Sequence, residues 1–392
     1  MDMGFLNPLL NRPGPWASVY LDTSAVAEDA EAVRELQARE ARDQLAAAGA
    51  AETTCRAAYD ALSGATREDA GRAVFATEGE VVMEVPLSVP PPSPPLVSWA
   101  ALPRLGPLLD YGEREPVCLV AFVDRRGADL QLRGTHGRPR HVDEVGGEQW
   151  PMHRTATADW SERHFQLAVE NTWDQNAARI AEALTADAAH AHAELLVLAG
   201  DPRERRSVRE RLPEALRAIT VESEHGGRSA GAKADLLDAD VERARAERAR
   251  AHTEEALDRF RAGRTTAGDG IDAAEGVPTL VDAAREHRIA TLLVRPTGPD
   301  LDRDVWVGRE PDQLAVRRSD SRYLGDPEPA AARADDALLR SAAATGADVV
   351  ALAPAATGDG RGGGPEPVGG LGALLRWPFA DGVPGGGIPP GA

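Results

Sequence analysis

The sequence predicts an α/β protein divided over two or three domains, and three observations carry that expectation. Short apolar runs, among them 117–123 (VCLVAFV), 195–199 (LLVLA) and 289–294 (IATLLV), are bounded by turn residues and read as buried strands. Segments with helical spacing alternate with them, the pattern of sheets flanked by helices. The chain has 392 residues, more than one hydrophobic core ordinarily serves.

Composition narrows the function classes. Apolar residues make up 42% of the chain, enough to fill cores, which argues against global disorder. The 44 basic and 63 acidic residues leave a net charge of −19. That excludes a protein coated in positive charge, such as a polybasic membrane-surface or histone-like protein, while leaving room for a local basic site. No uncharged apolar run approaches the ~18 residues of a membrane span. Met1-Asp2-Met3-Gly4 lacks the basic and apolar regions of a signal peptide. Cys55 and Cys118 are too few for a zinc framework and suit a reducing, cytoplasmic setting. Lys233 is the only lysine, so an arginine in this chain is a weaker sign of a selected site than usual.

In the N-terminal region, 16–21 (WASVYL) reads as a strand and Asp22-Thr23-Ser24 as turn or cap chemistry. Residues 27–48 are rich in strong helix formers, with Val33, Leu36 and Leu45 as anchors, and 54–62 forms a second helix. Strands at 73–76 and 80–85 close as a hairpin over Thr77-Glu78-Gly79. Six prolines within 86–95 predict an extended polyproline segment on the surface, followed by a short helix near 102–109 and a linker at 110–115.

The middle region opens with the strand 117–123, a turn at 124–127 and a returning strand at 129–133. Residues 134–158 show no periodicity and are rich in Gly, His, Arg and Pro; loops of about 25 residues tend to be functional. From Asp159, capped by its pairing with Glu162, the residues Phe165, Val169, Trp173, Ala177, Ile180 and Leu184 recur at three to four. They predict a long helix with one face buried against 117–123 and 195–199. Gly200-Asp201-Pro202 supplies a turn, a cap and a first helical proline for a helix reaching 216, before a strand at 219–221. Residues 232–262 read as a charged, solvated helix laced with i,i+4 pairs. After a break at 263–276 the theme repeats: helix 277–287, strands 289–294 and 304–307, helix 331–345, strand 348–352, a Gly-rich loop 357–364 and an ordered stretch 369–377. Residues 381–392 read as a disordered tail.

Several chemistries are excluded by motif. Lys233 follows no phosphate-binding glycine loop. Gly358, Gly360 and Gly363 match Gly-x-Gly-x-x-Gly formally, but Pro365 and Pro367 prevent a helix from starting there. No Gly-x-Ser-x-Gly elbow occurs. His190-Ala191-His192 has i,i+2 spacing without an acidic or cysteine partner and reads as a solvated helix end rather than a zinc site. No motif calls for a cofactor or a metal.

The stretch 134–160 stands apart. Between 125 and 140 lie five arginines (125, 126, 133, 138, 140) and one acid, Asp129, a local excess of +4. His136, His141, Trp150, His153, Arg154 and Trp160 continue it. Guanidinium groups neutralise phosphates and indoles stack on unpaired bases. Arg138, Arg140, Trp150, His153, Arg154 and Trp160 are therefore candidate RNA contacts; the alternative is a loop whose arginines pair with Asp143, Glu144 and Glu148. Two glycine pairs, Gly146-Gly147 before Glu148-Gln149 and Gly226-Gly227 before Arg228-Ser229, either admit a close backbone approach to a ribosyl ester or simply form turns.

The order of these features resembles a known family. A strand hairpin, a long Gly/His/Arg loop, a long helix and then Leu195-Leu196-Val197-Leu198-Ala199-Gly200 is similar to the middle domain of eukaryotic and archaeal class-1 release factors and Pelota. Gly276-Val277-Pro278-Thr279-Leu280, the strand 289–294 and Gly369-Gly370-Leu371-Gly372-Ala373-Leu374-Leu375-Arg376 resemble their C-terminal domain. His153-Arg154-Thr155, Trp160-Ser161-Glu162 and Glu170-Asn171-Thr172-Trp173 read like the actinobacterial branch of bacterial release-factor-like proteins, related to the ribosome hibernation factor Balon. The resemblance covers roughly 114–378.

It implies three domains of the release-factor/Pelota type, each a small mixed sheet flanked by helices, over 1–113, 114–238 and 239–380. It further implies binding in the A site of the 70S ribosome, with rRNA and tRNA in reach, and delivery by elongation factor Tu. Hibernation or protection under stress, a cytoplasmic location, and no DNA or membrane partner belong to the same expectation. Release factors carry Gly-Gly-Gln before the long helix. Gly146-Gly147-Glu148-Gln149 has one residue inserted, so the expectation is a factor without peptide-release activity and without a catalytic residue. The alternatives are a peptidyl-tRNA hydrolase or rescue factor acting through Gln149, and a stress-regulated interaction protein that does not bind ribosomes.

Overall fold

The alternation of strands and helices is realised as four small sheets of five, four, four and three strands, with helices against them. The expected α/β class is therefore the one observed. The structure, a computed structural model, describes residues 3–10, 12–24, 30–64, 70–112, 116–134, 140–146, 160–227, 234–265, 272–321, 328–352 and 366–377; at 140, 143, 144, 146, 160–173, 265 and 321 it describes the backbone alone. Two compact units result: Met1–Arg114 with His252–Ala392, and Glu115–Ala251. The terminal regions, read from sequence as separate domains, lie in one unit. The second division falls inside a helix, Ala234–Thr265.

The N-terminal part of the first unit holds α1 (Asn7–Leu10), β1 (Trp16–Asp22), α2 (Ala30–Ala47), α3 (Glu52–Ser63), β2 (Gly71–Thr77), β3 (Glu80–Leu87), β4 (Leu96–Ala100) and α4 (Leu108–Tyr111). The strands form an antiparallel sheet in the order β3-β2-β1-β4. The expected hairpin turns through Glu78 and Gly79, both at positive φ (51° and 84°), the twist a two-residue hairpin requires. One sheet face, with Val19, Leu21 and Val74, is covered by Ala38, Ala41 and Leu45 of α2 and Ala58 and Leu62 of α3. Val33 and Leu36, expected as anchors, are instead 40% and 65% exposed. α2 docks on its alanines because small side chains let a helix axis approach closely. Leu96–Ala100, absent from the sequence reading, is an edge strand entered directly from Pro95, a position where a missing N–H is tolerated. The helix expected near 102–109 is the single turn α4.

The middle unit contains β5 (Cys118–Asp124), β6 (Gly127–Arg133), β7 (Arg140–Gly146), α5 (Trp160–His190), β8 (Leu195–Gly200), α6 (Pro202–Arg211), α7 (Glu214–Ala218), β9 (Thr220–Glu222) and the first half of α8 (Ala234–Thr265). Strand order is β7-β6-β5-β8-β9, antiparallel on the β6–β7 side of β5 and parallel on the β8–β9 side. β5 and β8 are buried on both faces, which is why they read as continuous apolar runs. Leu119, Ala121, Leu196 and Leu198 face Ala177, Ile180 and Leu184 of α5. Cys118, Val120, Leu195 and Val197 face Leu237, Val241 and Ala244 of α8. The charged helix is thus not simply solvated. The expected α5 stripe holds for Ala177, Ile180 and Leu184; the side chains of Phe165, Val169 and Trp173 lie outside the described residues. The helix expected to reach 216 breaks at Leu212 because Pro213 has no N–H to continue it.

Gly200 ends β8 at φ +118°, and a Cβ there would stand 2.0 Å from the Val123 carbonyl oxygen. Gly200→Ala is expected to cost about 2–4 kcal/mol, from steric overlap and a left-handed backbone together, measured by urea unfolding.

The C-terminal part of the first unit adds the end of α8, then β10 (Ala273–Glu275), α9 (Val277–Arg285), β11 (Ile289–Val294), β12 (Asp304–Val307), β13 (Leu314–Ala315), α10 (Arg318–Ser321), β14 (Ala330–Arg333), α11 (Ala334–Thr345), β15 (Asp348–Ala351) and β16 (Leu371–Leu375). The sheets are β10-β16-β11-β15 and β13-β12-β14. Leu280, Val281, Leu338 and Leu339 of α9 and α11 share one core with Trp16, Tyr20, Phe75 and Leu105. A polar latch sits within it. Arg104 Nη1 donates to Asp335 Oδ2 (2.7 Å) and Asp336 Oδ1 (2.9 Å), and Asp336 Oδ1 also accepts from the Leu105 and Gly106 amides (2.8 and 3.1 Å). Cys55 and Cys118 are free and buried, and burial pushes the Cys118 thiol up to about 12. The Gly-rich 357–364 loop and the 381–392 tail lie outside the described residues.

Candidate functional site

The stretch expected to be one long loop, 134–158, contains a strand. β7 pairs antiparallel with β6, from Leu132↔Arg140 to Gly127↔Gly146. The register shifts between Leu130 and Gln131, where β7 carries Val142 as an extra residue. Val142 and Val145, three apart, would point to opposite faces of a regular strand; the bulge brings both to the α5 core, where they are half-buried. That odd spacing hides the strand from an alternation test.

β7 divides the candidate residues. Its ends are separated by about 20 Å at ~3.4 Å per residue. Arg140 opens the strand, and Arg138 precedes it in the chain. Gly146 closes it, followed by Gly147, Glu148, Gln149, Trp150, His153 and Arg154, and then Trp160, the first residue of α5. Arg138, Gly147, Glu148, Gln149, Trp150, His153 and Arg154 lie outside the described residues. Arg140, Gly146 and Trp160 are described by backbone alone. The two ends of β7 anchor two segments, 135–139 and 147–159, rather than one continuous basic loop.

At the Arg140 end, basic charge is consumed by structure. Arg133 Nη1 donates to Asp238 Oδ1 (2.6 Å). Buried Arg245 donates to the Pro116 carbonyl (3.2 Å) and to both carboxylate oxygens of Glu242 (3.2 and 3.3 Å). The Gly146 end is different. Gly146 sits opposite Gly127, beside the β5–β6 turn that carries exposed Arg125 and Arg126. Asp124 Oδ1 accepts from the Arg126 amide (2.6 Å), and buried Asn176 of α5 donates to the Arg125 carbonyl (3.2 Å), fixing the turn. Next to it, Asp201 caps α6 by accepting from the Arg203 amide (2.9 Å). Burial raises the Glu204 carboxyl, Asp201 adds to the effect, and Arg125, 3.9 Å away, opposes it.

α6 is the basic element that the sequence reading passed over. Pro202–Arg211 holds five arginines against two glutamates. Arg205 is buried on the Ser223 carbonyl, while Arg203, Arg206 and Arg209 are exposed. Arg206 meets Glu210 (3.2 Å) and Arg209 meets Glu222 (3.1 Å). Counting charge per helix would have found them. Two of the exposed arginines of α6 are thus paired with glutamates, and at the Gly146 end of the sheet exposed Arg125, Arg126 and Arg203 stand among Asp124, Asp201 and Glu204.

The second glycine pair is structural. Gly226 lies at φ +90°, where a Cβ would stand 2.6 Å from Leu237, so it serves the turn into α8. Beside it Asp240 Oδ2 accepts from Ser223 Oγ (2.6 Å) and lies 2.9 Å from His225 Nδ1, and Arg243 pairs with Oδ1. These bonds, that of Ser223 foremost, hold the Asp240 carboxyl well below the usual carboxylate range. The His225 ring meets the carboxylate, while its backbone amide donates to Ser223 Oγ (3.0 Å), so the group latches α8 to the segment after β9. His190 and His192 are exposed at the end of α5. Among the described residues, no cluster of His, Cys, Asp and Glu could hold a metal ion, and no helix is long and apolar enough to cross a membrane.

Comparison with known proteins places this arrangement. The sequence model of bacterial archaeo-eukaryotic release factor family 2 matches residues 117–266, which take in the β5–β9 sheet and α8. The protein Rv2629 of Mycobacterium tuberculosis is 31% identical over 382 residues, covering 94% of this chain and 95% of its own. Among solved structures, the archaeal translation termination factor aRF1 is 17% identical, covers 96% of this chain and 97% of its own, and has a TM-score of 0.25. Archaeoglobus fulgidus Pelota is 15% identical over 78% of this chain and 79% of its own, with a TM-score of 0.29. The extent of the match to Rv2629, the family match over the middle unit and the order of elements around Gly146 lead to one assignment: this chain belongs to bacterial archaeo-eukaryotic release factor family 2.

Proposed function

We propose that the protein binds the 70S ribosome in the A site and protects or hibernates it, without releasing the nascent peptide. Family membership supports the ribosomal setting. The observation that carries the non-catalytic reading is the sequence Gly146-Gly147-Glu148-Gln149, which leaves the end of β7 in the segment before α5 with one residue too many for Gly-Gly-Gln. In this reading Arg138, Arg140, His153 and Arg154 contact RNA phosphates, and Trp150 and Trp160 offer stacking surfaces. Exposed Arg125 and Arg126 of the β5–β6 turn lie at the Gly146 end, beside the segment that carries His153 and Arg154 in the chain. Delivery by elongation factor Tu and contact with tRNA belong to the proposal.

The test is co-sedimentation with 70S particles from starved and growing cells across a salt series, with and without elongation factor Tu. Wild-type protein is expected in the 70S fraction, and the factor is expected to raise occupancy. Replacing Arg138, Arg140 and Arg154 together by alanine is expected to weaken binding and lower the slope of log K against log salt by about 2–3. Equal binding by the triple variant at every salt concentration would remove these residues from the RNA interface. No sedimentation with ribosomes in either growth state would leave the protein-interaction reading in its place.

A further inference from the structure

We propose that the chain forms a homodimer through β4, whose free edge pairs antiparallel with β4 of a second copy and joins the two N-terminal sheets into one. The inference owes nothing to the 134–160 stretch, so it stands or falls independently of ribosome binding.

An edge strand offers a row of N–H and C=O groups to any strand of matching shape, and proteins blunt such edges with charge, proline or a bulge. β3, at the other edge of this sheet, carries Glu80, Glu84 and Pro86. The edge strands β7, β9, β10, β14 and β15 each carry a charged residue. Among the described edge strands longer than two residues, β4, Leu96-Val97-Ser98-Trp99-Ala100, alone has neither charge nor proline. It runs along β1 without a register shift, from Tyr20↔Leu96 to Trp16↔Ala100. Among the described residues, the backbone of 96–100 bonds to β1 alone. Alternate residues therefore leave their N–H and C=O groups unpaired on the outer side.

Two observations make a second copy the occupant. The first is that β4 is complementary to itself. A twofold axis through Ser98, perpendicular to the sheet, sets Ser98 opposite the partner's Ser98, Val97 opposite the partner's Trp99 and Leu96 opposite the partner's Ala100. Opposed residues then share a face. A β-branched side chain meets an aromatic one, a large side chain meets a small one, and no like charges meet. The second observation is α2, which lies over β1 and β4. One flank of it faces α3, where Tyr59 Oη donates to Glu35 (3.5 Å) and Arg42 stands over the Tyr59 ring (5.6 Å). By the helical repeat the opposite flank carries Val33, Leu36 and Gln37. Gln37 donates to Ser93 Oγ (3.3 Å), just before β4, so this flank looks out past the free edge. Val33 and Leu36 are 40% and 65% exposed there. Strands lie ~4.8 Å apart, so helices resting over the last two strands of each copy come to about 10–14 Å, close to the 8–10 Å of packed helices. The dimer covers two apolar side chains that a single copy leaves in water, and it satisfies the open edge of β4 in the same step.

The experiment is sedimentation equilibrium of the full chain from about 1 to 100 μM. The mass is expected to rise from that of one chain to that of two across this range. Replacing Val33 and Leu36 together by glutamate is expected to raise the dissociation constant at least tenfold, because like charges then face each other across the axis. Both residues are at the surface, so the variant should keep the wild-type Tm at dilution. Ser98→Cys tests the register and keeps the proposal open to refutation if the glutamate variant fails to fold. Residues opposed in an antiparallel pair have Cα atoms ~4.5–5.5 Å apart, within disulfide range. Mild oxidation is expected to give a covalent dimer of Ser98→Cys but not of Glu84→Cys on the opposite edge, nor of wild type, whose Cys55 and Cys118 are buried. The proposal is overturned if the chain stays monomeric at every concentration, if a well-folded glutamate variant dimerises like wild type, or if Ser98→Cys cross-links no faster than Glu84→Cys.

Discussion

Arg104→Ala is expected to destabilise the terminal unit by about 3–5 kcal/mol, the effect of removing one partner from a buried ion pair. The guanidinium sits between Asp335 and Asp336, whose side chains are 0% and 5% exposed. Arg333 also pairs with Asp335 (3.1 Å), but Asp336 would keep only the Leu105 and Gly106 amides. The loss is large because the buried aspartates must then either keep charge in a site closed to water or take up a proton there.

The same latch predicts a pH dependence. Burial pushes the Asp336 carboxyl up to about 7, Asp335 beside it adds to the effect, and Arg104 with the two amides opposes it. An unfolded aspartate ionises near pH ~4. Between about pH 4 and pH 7 the folded chain therefore holds a proton that the unfolded chain has released, and the unfolding free energy falls as pH rises through that window. The contribution is fully present below the unfolded pKa and is lost by the time pH passes the folded one. Asp336→Asn keeps an oxygen acceptor for the two amides and removes the titration. Urea unfolding at several pH values from 4 to 8 should show the wild-type slope more negative than that of Asp336→Asn. Identical slopes would mean that Asp336 stays ionised throughout.

The second large effect concerns chemistry. On peptidyl-tRNA-loaded 70S complexes at saturating protein, peptide release is expected to stay at the buffer rate, and Gln149→Ala is expected to change nothing. A Gly-Gly-Gln loop works by letting strained backbone approach the ester and setting an amide to position water. Glu148 displaces Gln149 by one residue, about 3.3–3.6 Å of extended chain. An error of even ~1 Å in a reacting group can cost ~100-fold in rate. The added carboxylate also brings negative charge toward a developing oxyanion, where donors are needed. Deleting Glu148 restores Gly-Gly-Gln, and a rise in release of ~100-fold in that variant would identify the insertion as the block. Release by the wild-type chain that disappears in Gln149→Ala would instead establish the hydrolase reading.

The sequence by itself determined the α/β class, the buried strands and the order of elements, because these follow from local signals. Cys118–Asp124 and Leu195–Gly200 are apolar throughout since both of their faces are covered. The turn at Glu78-Gly79 and the cap at Asp201-Pro202 are legible from residue type alone. Only the tertiary structure decided three things, each resting on contacts between residues distant in sequence or on a broken periodicity. β7 became visible through its pairing with β6, because a bulge puts two valines spaced three apart on one face. Val33 and Leu36 stayed at the surface because α2 packs through alanine, a choice made by the sheet beneath it. The terminal regions joined in one unit through Arg104, Asp335 and Asp336, 231 and 232 residues apart, since no local pattern records which buried charge will meet which.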